Sequence, residues 1–236
     1  MKTLKMIVVL AMVVGVISTS CKKDSIQSSS LLGVKIMATN STFSLLKAGS
    51  LVTPVFAWDT CSMNVSKIDL EAEKKENESS QDSTNIDFEW RGSKKVDLFS
   101  INSLVGVINL QPGVYDEISI KIEAFKSDAG SSPVFYLSGS YTNATGVKIP
   151  VVVIVNDDIQ LKVKSKEGTK LNAVNDYASL IKLNLALLMN GILISDLDSA
   201  TLNNGKIVIS GTSNISLYTK IKGNFDSCED SEFNQE

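Results

Sequence analysis

The clearest pattern in the chain is a repeated alternation of apolar and polar residues, which predicts strands. The alternation is strongest over residues 118–124 and 159–163, and it recurs over residues 70–73 and 86–90. Residues 151–155 form an unbroken apolar run, which predicts a strand buried on both faces. Because turn residues separate these segments at short intervals, the pattern predicts an all-β fold, a single antiparallel β-sandwich of the Greek-key type.

Three segments depart from this alternation. Residues 180–194 predict a core strand that leads into a short buried helix or turn, ending at Gly191. Asn214 is predicted to cap a short C-terminal helix that places Leu217 and Ile221 on one face. Residues 71–85 contain no apolar side chain after position 72, so they are predicted to form a mobile, solvated hairpin loop.

Residues 1–20 have the features of a secretory signal peptide. Lys2 and Lys5 precede an apolar stretch over residues 6–17, which is shorter than the roughly 20 residues that a membrane-spanning helix needs. Cys21 follows Ser20 directly, and this order resembles the lipobox of bacterial lipoproteins. Ser18, where Leu or Val is usual, resembles the relaxed lipoboxes of Bacteroidota. The resemblance implies that Cys21 is lipidated, becomes the mature N-terminus and anchors the protein to the outer membrane. The alternative is a conventional signal peptide followed by a buried or disulfide-bonded Cys21.

The predicted domain organisation follows from this signal peptide and lipobox. Residues 21–31 are interpreted as the lipidated cysteine and a flexible, Ser-rich tether, because they lack apolar periodicity. Residues 32–236 are interpreted as the β-sandwich domain with a short C-terminal helix.

With Cys21 assigned to lipid, Cys61 and Cys228 are left as an even pair. An extracytoplasmic compartment permits disulfides, so a Cys61–Cys228 bridge is predicted. Two free thiols are the alternative. A metal site is not predicted, because two thiolates without histidine make only half a site.

Composition narrows the chemistry. The chain has 236 residues, a formal charge of -3 and no histidine. This excludes His-dependent nucleophiles and His-ligated metals, and the charge lacks the basic excess of a nucleic-acid-binding protein. No enzyme activity, catalytic residue, metal or cofactor is predicted. A carboxylate-based glycan hydrolase is kept as the lesser alternative, with its candidate carboxylates at Asp157, Asp158, Asp196 and Asp198.

Two tryptophans are candidates for ligand contact, because indole rings stack on sugars. Trp90 alternates in phase with apolar residues and is predicted to lie in the core, whereas Trp58 is predicted to be the more open ring. The expected partners are the membrane, through the lipid, and a glycan or an envelope protein. Three short strings also resemble the O-glycosylation motif of Bacteroidota proteins, with acceptors at Ser25, Ser83 and Ser199.

A family resemblance covers the segment from Val96 to Val155. The string Val96-Asp97-Leu98 with Ser100, the string Leu110-Gln111-Pro112-Gly113-Val114-Tyr115, and then Ile118 and Ile120 resemble a widespread, functionally uncharacterised family of bacterial lipoprotein domains with a transthyretin-like sandwich. The family's usual Thr-Asp-Ala-Pro opening is missing from this chain. The resemblance implies a fold and a location, and it carries no catalytic residue.

Together these observations predict a membrane-anchored cell-envelope lipoprotein whose β-sandwich domain binds a ligand or gives structural support. The alternative is a subunit of a surface appendage or an envelope complex that exchanges strands at a sheet edge.

Overall fold

The computed structural model describes residues 29–45, 55–77, 81–126 and 132–235, and most of them lie in strands. The strands form two sheets, one of four strands and one of ten. The prediction of a mainly β fold is therefore confirmed.

The four-stranded sheet has the order β14-β11-β1-β5, so β1 lies inside it between a parallel and an antiparallel neighbour. Its members are β1 (Ser30–Thr39), β5 (Leu104–Leu110), β11 (Tyr177–Asn184) and β14 (Glu229–Gln235). The tether was predicted to extend to residue 31, but β1 already begins at Ser30. The Ser30 side chain is buried, and its hydroxyl donates to the carbonyl of Asn172 at 2.7 Å.

The ten-stranded sheet is built around one very long strand, β3 (Val55–Lys75). One edge of β3 pairs with β7 along its first half and with β6 along its second half, and the opposite edge pairs with β2 and β4. The other members are β2 (Thr42–Ser44), β4 (Ser83–Asp97), β6 (Gly113–Ala124), β7 (Phe135–Thr142), β8 (Lys148–Val155), β9 (Ile159–Lys164), β10 (Thr169–Leu171), β12 (Leu202–Asn203) and β13 (Lys206–Ile209).

The pairing register of β3 shifts at several points along the strand. Its pairing with β7 shifts between Trp58 and Thr60, and its pairing with β4 shifts between Val65 and Lys67. Such bulges bend a strand and increase its local twist.

The prediction of a mobile loop over residues 71–85 is wrong at both ends. β3 continues to Lys75, β4 begins at Ser83, and Glu71 lies opposite Asp87 in a regular antiparallel ladder. Polar residues continue these strands because their outward side chains face solvent, so a lack of apolar residues did not mark a loop here.

Four short helices occupy the described C-terminal part, and they are α1 (Leu185–Leu188), α2 (Ile194–Asp198), α3 (Ile215–Gly223) and α4 (Phe225–Cys228). The predicted turn at Gly191 is confirmed by its φ of 73°. The predicted helix after Asn214 is also confirmed, but the Asn214 side chain does not cap it. Its amide instead donates to the carbonyls of Thr201 and Val208, at 3.0 and 2.8 Å.

Residues 111–112 form one of the connections that join the two sheets, since β5 belongs to the small sheet and β6 to the large one. Tyr115, near the start of β6, is fully buried, and its hydroxyl donates to the carbonyl of Gln111 at 2.6 Å. This contact ties the start of β6 back to the connection itself.

Buried side chains from both sheets and from the helices form one hydrophobic core. Phe56, Ile120 and Phe135 from the large sheet are 0% exposed, as are Leu32 and Ile181 from the small one. At about 25 cal/mol per Å² of buried apolar area, a core shared in this way is the main source of stability.

Candidate binding surface

Asp157 and Asp158, which had been considered for acid–base chemistry, serve as structural contacts. Asp157 accepts a hydrogen bond from the Tyr218 hydroxyl at 2.8 Å and pairs with the Lys222 ammonium at 2.6 Å. The Lys222 ammonium, with the Tyr218 hydroxyl, holds the pKa of Asp157 below its ordinary value. Asp158 accepts from the backbone N–H of Lys126 at 2.6 Å. Asp157 thus attaches α3 to the turn after β8.

Asp196 and Asp198 have similar roles around α2. Asp196 pairs with Lys220 of α3 at 2.6 Å and accepts from the Leu193 N–H, and these contacts lower its pKa. Asp198 accepts from the Tyr141 hydroxyl at 3.1 Å, and burial together with this carboxylate raises the pKa of Tyr141. In the part of the chain that the structure describes, no group of three or more Cys, Asp or Glu side chains could hold a metal ion.

The expectation that Trp58 is the more open tryptophan is wrong. Its side chain is 5% exposed, and its ring stacks on Phe56 with centroids 5.0 Å apart and an interplanar angle of 11°. Phe56 and Trp58 are two positions apart on β3, so both rings lie on its buried face. A sugar ring therefore has no open face of Trp58 on which to stack.

Both remaining cysteines lie in the core. Cys61 on β3 and Cys228 at the end of α4 are buried and unbridged in the structure. Burial, with smaller contributions from Asp97 and Cys228, raises the pKa of the Cys61 thiol well above its ordinary value. Burial also raises the pKa of Cys228, to about 12. The disulfide stays a prediction, and Cys21 lies outside the described residues.

An open apolar surface of the described fold lies along β4. Among the described residues, β4 pairs only with β3, so its other edge has no strand beside it. Its side chains alternate as the sequence predicted, but Phe88 is 37% exposed, and Ile86 and Trp90 are only partly buried. An edge strand of this length presents a row of backbone donors and acceptors to any extended partner.

A groove runs between β4 and β5, which is the edge strand of the small sheet. One part of it is a cavity of about 270 Å³ lined mainly by apolar groups, including Ile68, Phe88, Trp90, Val105 and Ile108. The neighbouring part, of about 380 Å³, lies between the start of β4 and the end of β5 and contains more polar groups. We refer to the β4 edge and this groove together as the open side.

The Lys94 side chain crosses the open side at one end. Its ammonium donates to the carbonyl of Val105 at 2.9 Å, which links the edges of the two sheets. Gly106 also lies close to β3, because a Cβ there would lie 3.2 Å from the Cδ1 of Ile68. The groove therefore narrows toward this end.

The charges of β4 change sign along the strand. Asp87 and Glu89 come first, and Arg91, Lys94 and Lys95 follow. The first half of β4 therefore carries acidic side chains, and the later part carries mainly basic ones.

The outward face beside β4 carries a network of ion pairs. Lys67 lies 2.6 Å from Asp69 and 3.3 Å from both Glu89 and Glu123. Arg91 also contacts Glu89, and these partners lower the pKa of Glu89. The Arg91–Glu89 pair is exposed, and exposed pairs contribute little stability each, about 0 to 1 kcal/mol.

Sequence reasoning located the strand but missed its exposure. The alternation of Ile86, Phe88 and Trp90 with polar residues identifies an inner face, yet it contains no information on whether a second sheet covers that face. One feature of the sequence could have pointed to this surface. The charge changes sign around Trp90, from Asp87 and Glu89 before it to Arg91 after it.

Comparisons with protein-family models, with curated proteins and with solved structures found no match to this chain. No helix among the described residues is long and apolar enough to cross a bilayer.

Proposed function

We propose that this protein is a non-enzymatic lipoprotein of the bacterial cell envelope that binds an extended polypeptide segment along its open side. The observation that carries the proposal is the unpaired edge of β4 lying beside an apolar groove. An added strand would satisfy the backbone groups of this edge, and its inward side chains would cover Phe88 and Trp90. Binding of this type draws affinity from backbone hydrogen bonds and specificity from side-chain pockets.

The proposed anchor is the lipid on Cys21, in the outer membrane. Eight residues separate Cys21 from Ser30, where β1 begins. Even fully extended, this segment spans only about 30 Å. The domain would thus stay close to the membrane. Ser30 pairs with Leu110 at the end of β5, and Leu110 lines the more polar part of the groove. The proposed anchor therefore lies at that end of the groove.

We further infer that the two sheets form a sandwich of the Greek-key, transthyretin-like type. The contact between Tyr115 and Gln111 supports this inference. A tyrosine that bonds back to the backbone a few residues upstream, at a connection between sheets, is a tyrosine corner, a feature of β-sandwiches. The resemblance of residues 110–120 to the lipoprotein family includes this same Pro-Gly-x-Tyr segment.

A binding role is favoured over hydrolysis because the four candidate aspartates already have structural partners. Asp157 and Asp196 are paired with lysines of α3, and Asp158 and Asp198 accept hydrogen bonds from neighbouring elements. A glycosidase needs two carboxylates that face each other across a substrate cleft.

Replacement of Cys21 tests the anchor. Cys21→Ala removes the proposed lipid acceptor, so the variant is expected to move from the membrane fraction to the soluble extract, because several acyl chains supply nearly all the membrane affinity. Fractionation of cells that express the wild-type and variant chains measures this directly. Continued membrane association of the variant would assign the anchor to another part of the chain or to a partner.

The binding site is tested with a photo-activated phenylalanine analogue at position 88. In intact envelopes of the native host, we expect a covalent adduct from position 88 and none from Val174, a highly exposed control far along the chain. The cross-linked peptide is then identified, synthesised and titrated against the domain. We expect Phe88→Thr to weaken its binding about tenfold or more.

Three outcomes of this experiment count against the proposal. Equal labelling from positions 88 and 174 would mean that the open side has no specific occupant. A synthetic peptide that binds equally well to the Phe88→Thr variant would place its site elsewhere. A glycan-array signal that is lost in that variant would replace the polypeptide with a carbohydrate.

A further inference from the structure

We propose that the partner at the open side is a second copy of this chain, which pairs its own β4 antiparallel to the first. This inference rests on the proposed function, because it names the partner of the same surface. It is carried by the charge order of β4. An antiparallel copy can bring Asp87 of each chain opposite Arg91 of the other. Parallel pairing would bring like charges together.

The backbone geometry limits how two such edges can pair. The N–H of Glu76 donates to the carbonyl of Asp82 at 3.2 Å, at the loop end of the ladder between β3 and β4. Hydrogen-bonding positions alternate along an antiparallel pair. Even-numbered residues of β4, up to Trp90, therefore bond to β3, and odd-numbered residues 83–91 point their backbone groups to the open edge. A second strand must match odd positions with odd positions.

Among the allowed registers, one centred on Glu89 fits best. It places Asp87 of each copy opposite Arg91 of the other. A register centred on Phe88 would instead form two Asp87–Glu89 pairs, both acidic, and no Asp87–Arg91 pair. A register centred on Trp90 would pair Glu89 with Arg91, but it would place Gly92 opposite Phe88, only two residues from the axis. The bulge, where Ser66 faces both Gly92 and Ser93 of β4, would then lie in the middle of the contact.

The two glutamates that meet at the twofold axis of this register already have cationic neighbours. Each Glu89 contacts Lys67 and Arg91 of its own chain. Asp87, in contrast, lies directly opposite Glu71 on β3, and like charges in that position are destabilising. An arginine from the second copy would relieve this repulsion.

The inner face is matched as well. The register centred on Glu89 places Phe88 of each copy opposite Trp90 of the other, which gives two aromatic cross-strand pairs. Both rings are partly exposed in the single chain and lie beside the apolar groove. The contact is isologous, so it closes as a dimer rather than growing into a fibre.

Sedimentation tests the pairing. We use residues 22–236, which include every residue of the described fold, at concentrations from micromolar to several hundred micromolar. The wild-type chain is expected to form a dimer. Asp87→Arg and Arg91→Asp should each raise the dissociation constant of the dimer about tenfold or more, because each variant places like charges opposite each other across the interface. The double variant should recover most of the affinity, and Glu167→Arg, which changes an exposed loop charge equally, should have no effect.

Cysteine cross-linking tests the register. Under mild oxidation, Glu89→Cys should bridge to itself. Asp87→Cys and Arg91→Cys should form no bridge when tested separately, and a mixture of the two should form the mixed dimer. The wild-type chain of residues 22–236 is the control for non-specific cross-linking, since its two thiols, Cys61 and Cys228, are buried.

A wild-type chain that stays monomeric over the whole concentration range would overturn the inference. So would a dimer that neither charge reversal weakens, or a dimer in which Phe88→Cys bridges to itself and Glu89→Cys does not. These failures are distinguishable from failure of the proposed function. A monomer that still gives a specific adduct from position 88 to another envelope polypeptide keeps the binding function and removes only the second copy.

Discussion

Gly139→Ala is expected to lower the free energy of unfolding by about 3 kcal/mol or more, because a methyl group at this position must overlap backbone atoms of the neighbouring strand. A Cβ at Gly139 would lie 2.1 Å from the carbonyl oxygen of Ala57 and 2.7 Å from the Cα of Trp58. Neither atom belongs to a side chain that could rotate away. The two strands would have to separate where β7 crosses the bulge of β3.

The consequence should extend beyond one contact. β7 connects the first half of β3 to β8, and through β8 to β13. A displacement at Gly139 would therefore disturb the stacked rings of Phe56 and Trp58, which lie on the inner face of the same segment. Urea unfolding followed by tryptophan fluorescence measures both effects, since the midpoint reports stability and the native emission reports the surroundings of Trp58 and Trp90 together. A change in native emission is expected to come from Trp58, which lies opposite Gly139 in the ladder.

Gly223→Ala is the matched control. Gly223 is the last residue of α3, and a Cβ there would have no neighbour within 4 Å. Alanine is the better helix former, so this variant is expected to be more stable by about 0.5 to 1 kcal/mol. If both substitutions changed stability by the same amount and in the same direction, the close approach of β3 and β7 would be refuted.

Alternation in the sequence was a good guide wherever a strand has one buried and one solvated face. β6 and β9 follow the predicted positions because Ile120 and Val163 face the core while Lys121 and Lys164 face solvent. The same rule identified the second half of β3. Local side-chain polarity is enough for this, because the period of two is a property of each strand by itself.

Alternation could not reveal which strands become neighbours or which edges stay uncovered. β14 escaped prediction because Glu229–Gln235 is mostly polar, and it forms a strand by pairing with β11 at the end of the small sheet. Trp58 was expected to be open because Asp59 follows it. Asp59 is exposed, but Trp58 lies two positions after Phe56 on the same face of β3, and the shared core covers both rings. Both outcomes depend on contacts between distant parts of the chain.

The open side also combines features that the sequence shows with features that only the fold shows. The sequence contains Phe88, Trp90 and the change of charge sign around them, and these are properties of a single segment. Their exposure follows from strand order, since β4 and β5 are edge strands of different sheets. Contact chemistry was therefore readable from the sequence, whereas accessibility required the fold.

Phe225→Ala is expected to cost about 3 to 5 kcal/mol, a large share of the stability of a domain of this size. Phe225 is 5% exposed at the start of α4, and its ring meets that of Phe135 edge to face, with centroids 5.2 Å apart and an interplanar angle of 87°. This contact fixes the short helix between α3 and β14 against the large sheet. Removal of the ring leaves a cavity that helix α4, of only four residues, cannot close by itself.

The two buried thiols distinguish local opening from global unfolding in this variant. In reducing buffer, Cys228 is expected to be alkylated faster than Cys61, because α4 has lost the Phe225 ring while Cys61 stays bonded to Leu98 and paired with β7. Phe125→Ala removes a ring that is 40% exposed and should cost only about 1 kcal/mol or less. If Cys228 stayed as protected as Cys61 in the Phe225 variant, the C-terminal helices would be held mainly by their other contacts, such as the buried Ile221 and the Asn224 hydrogen bonds to Leu188 and Asn190. In that case the Phe135 contact would not be their main anchor.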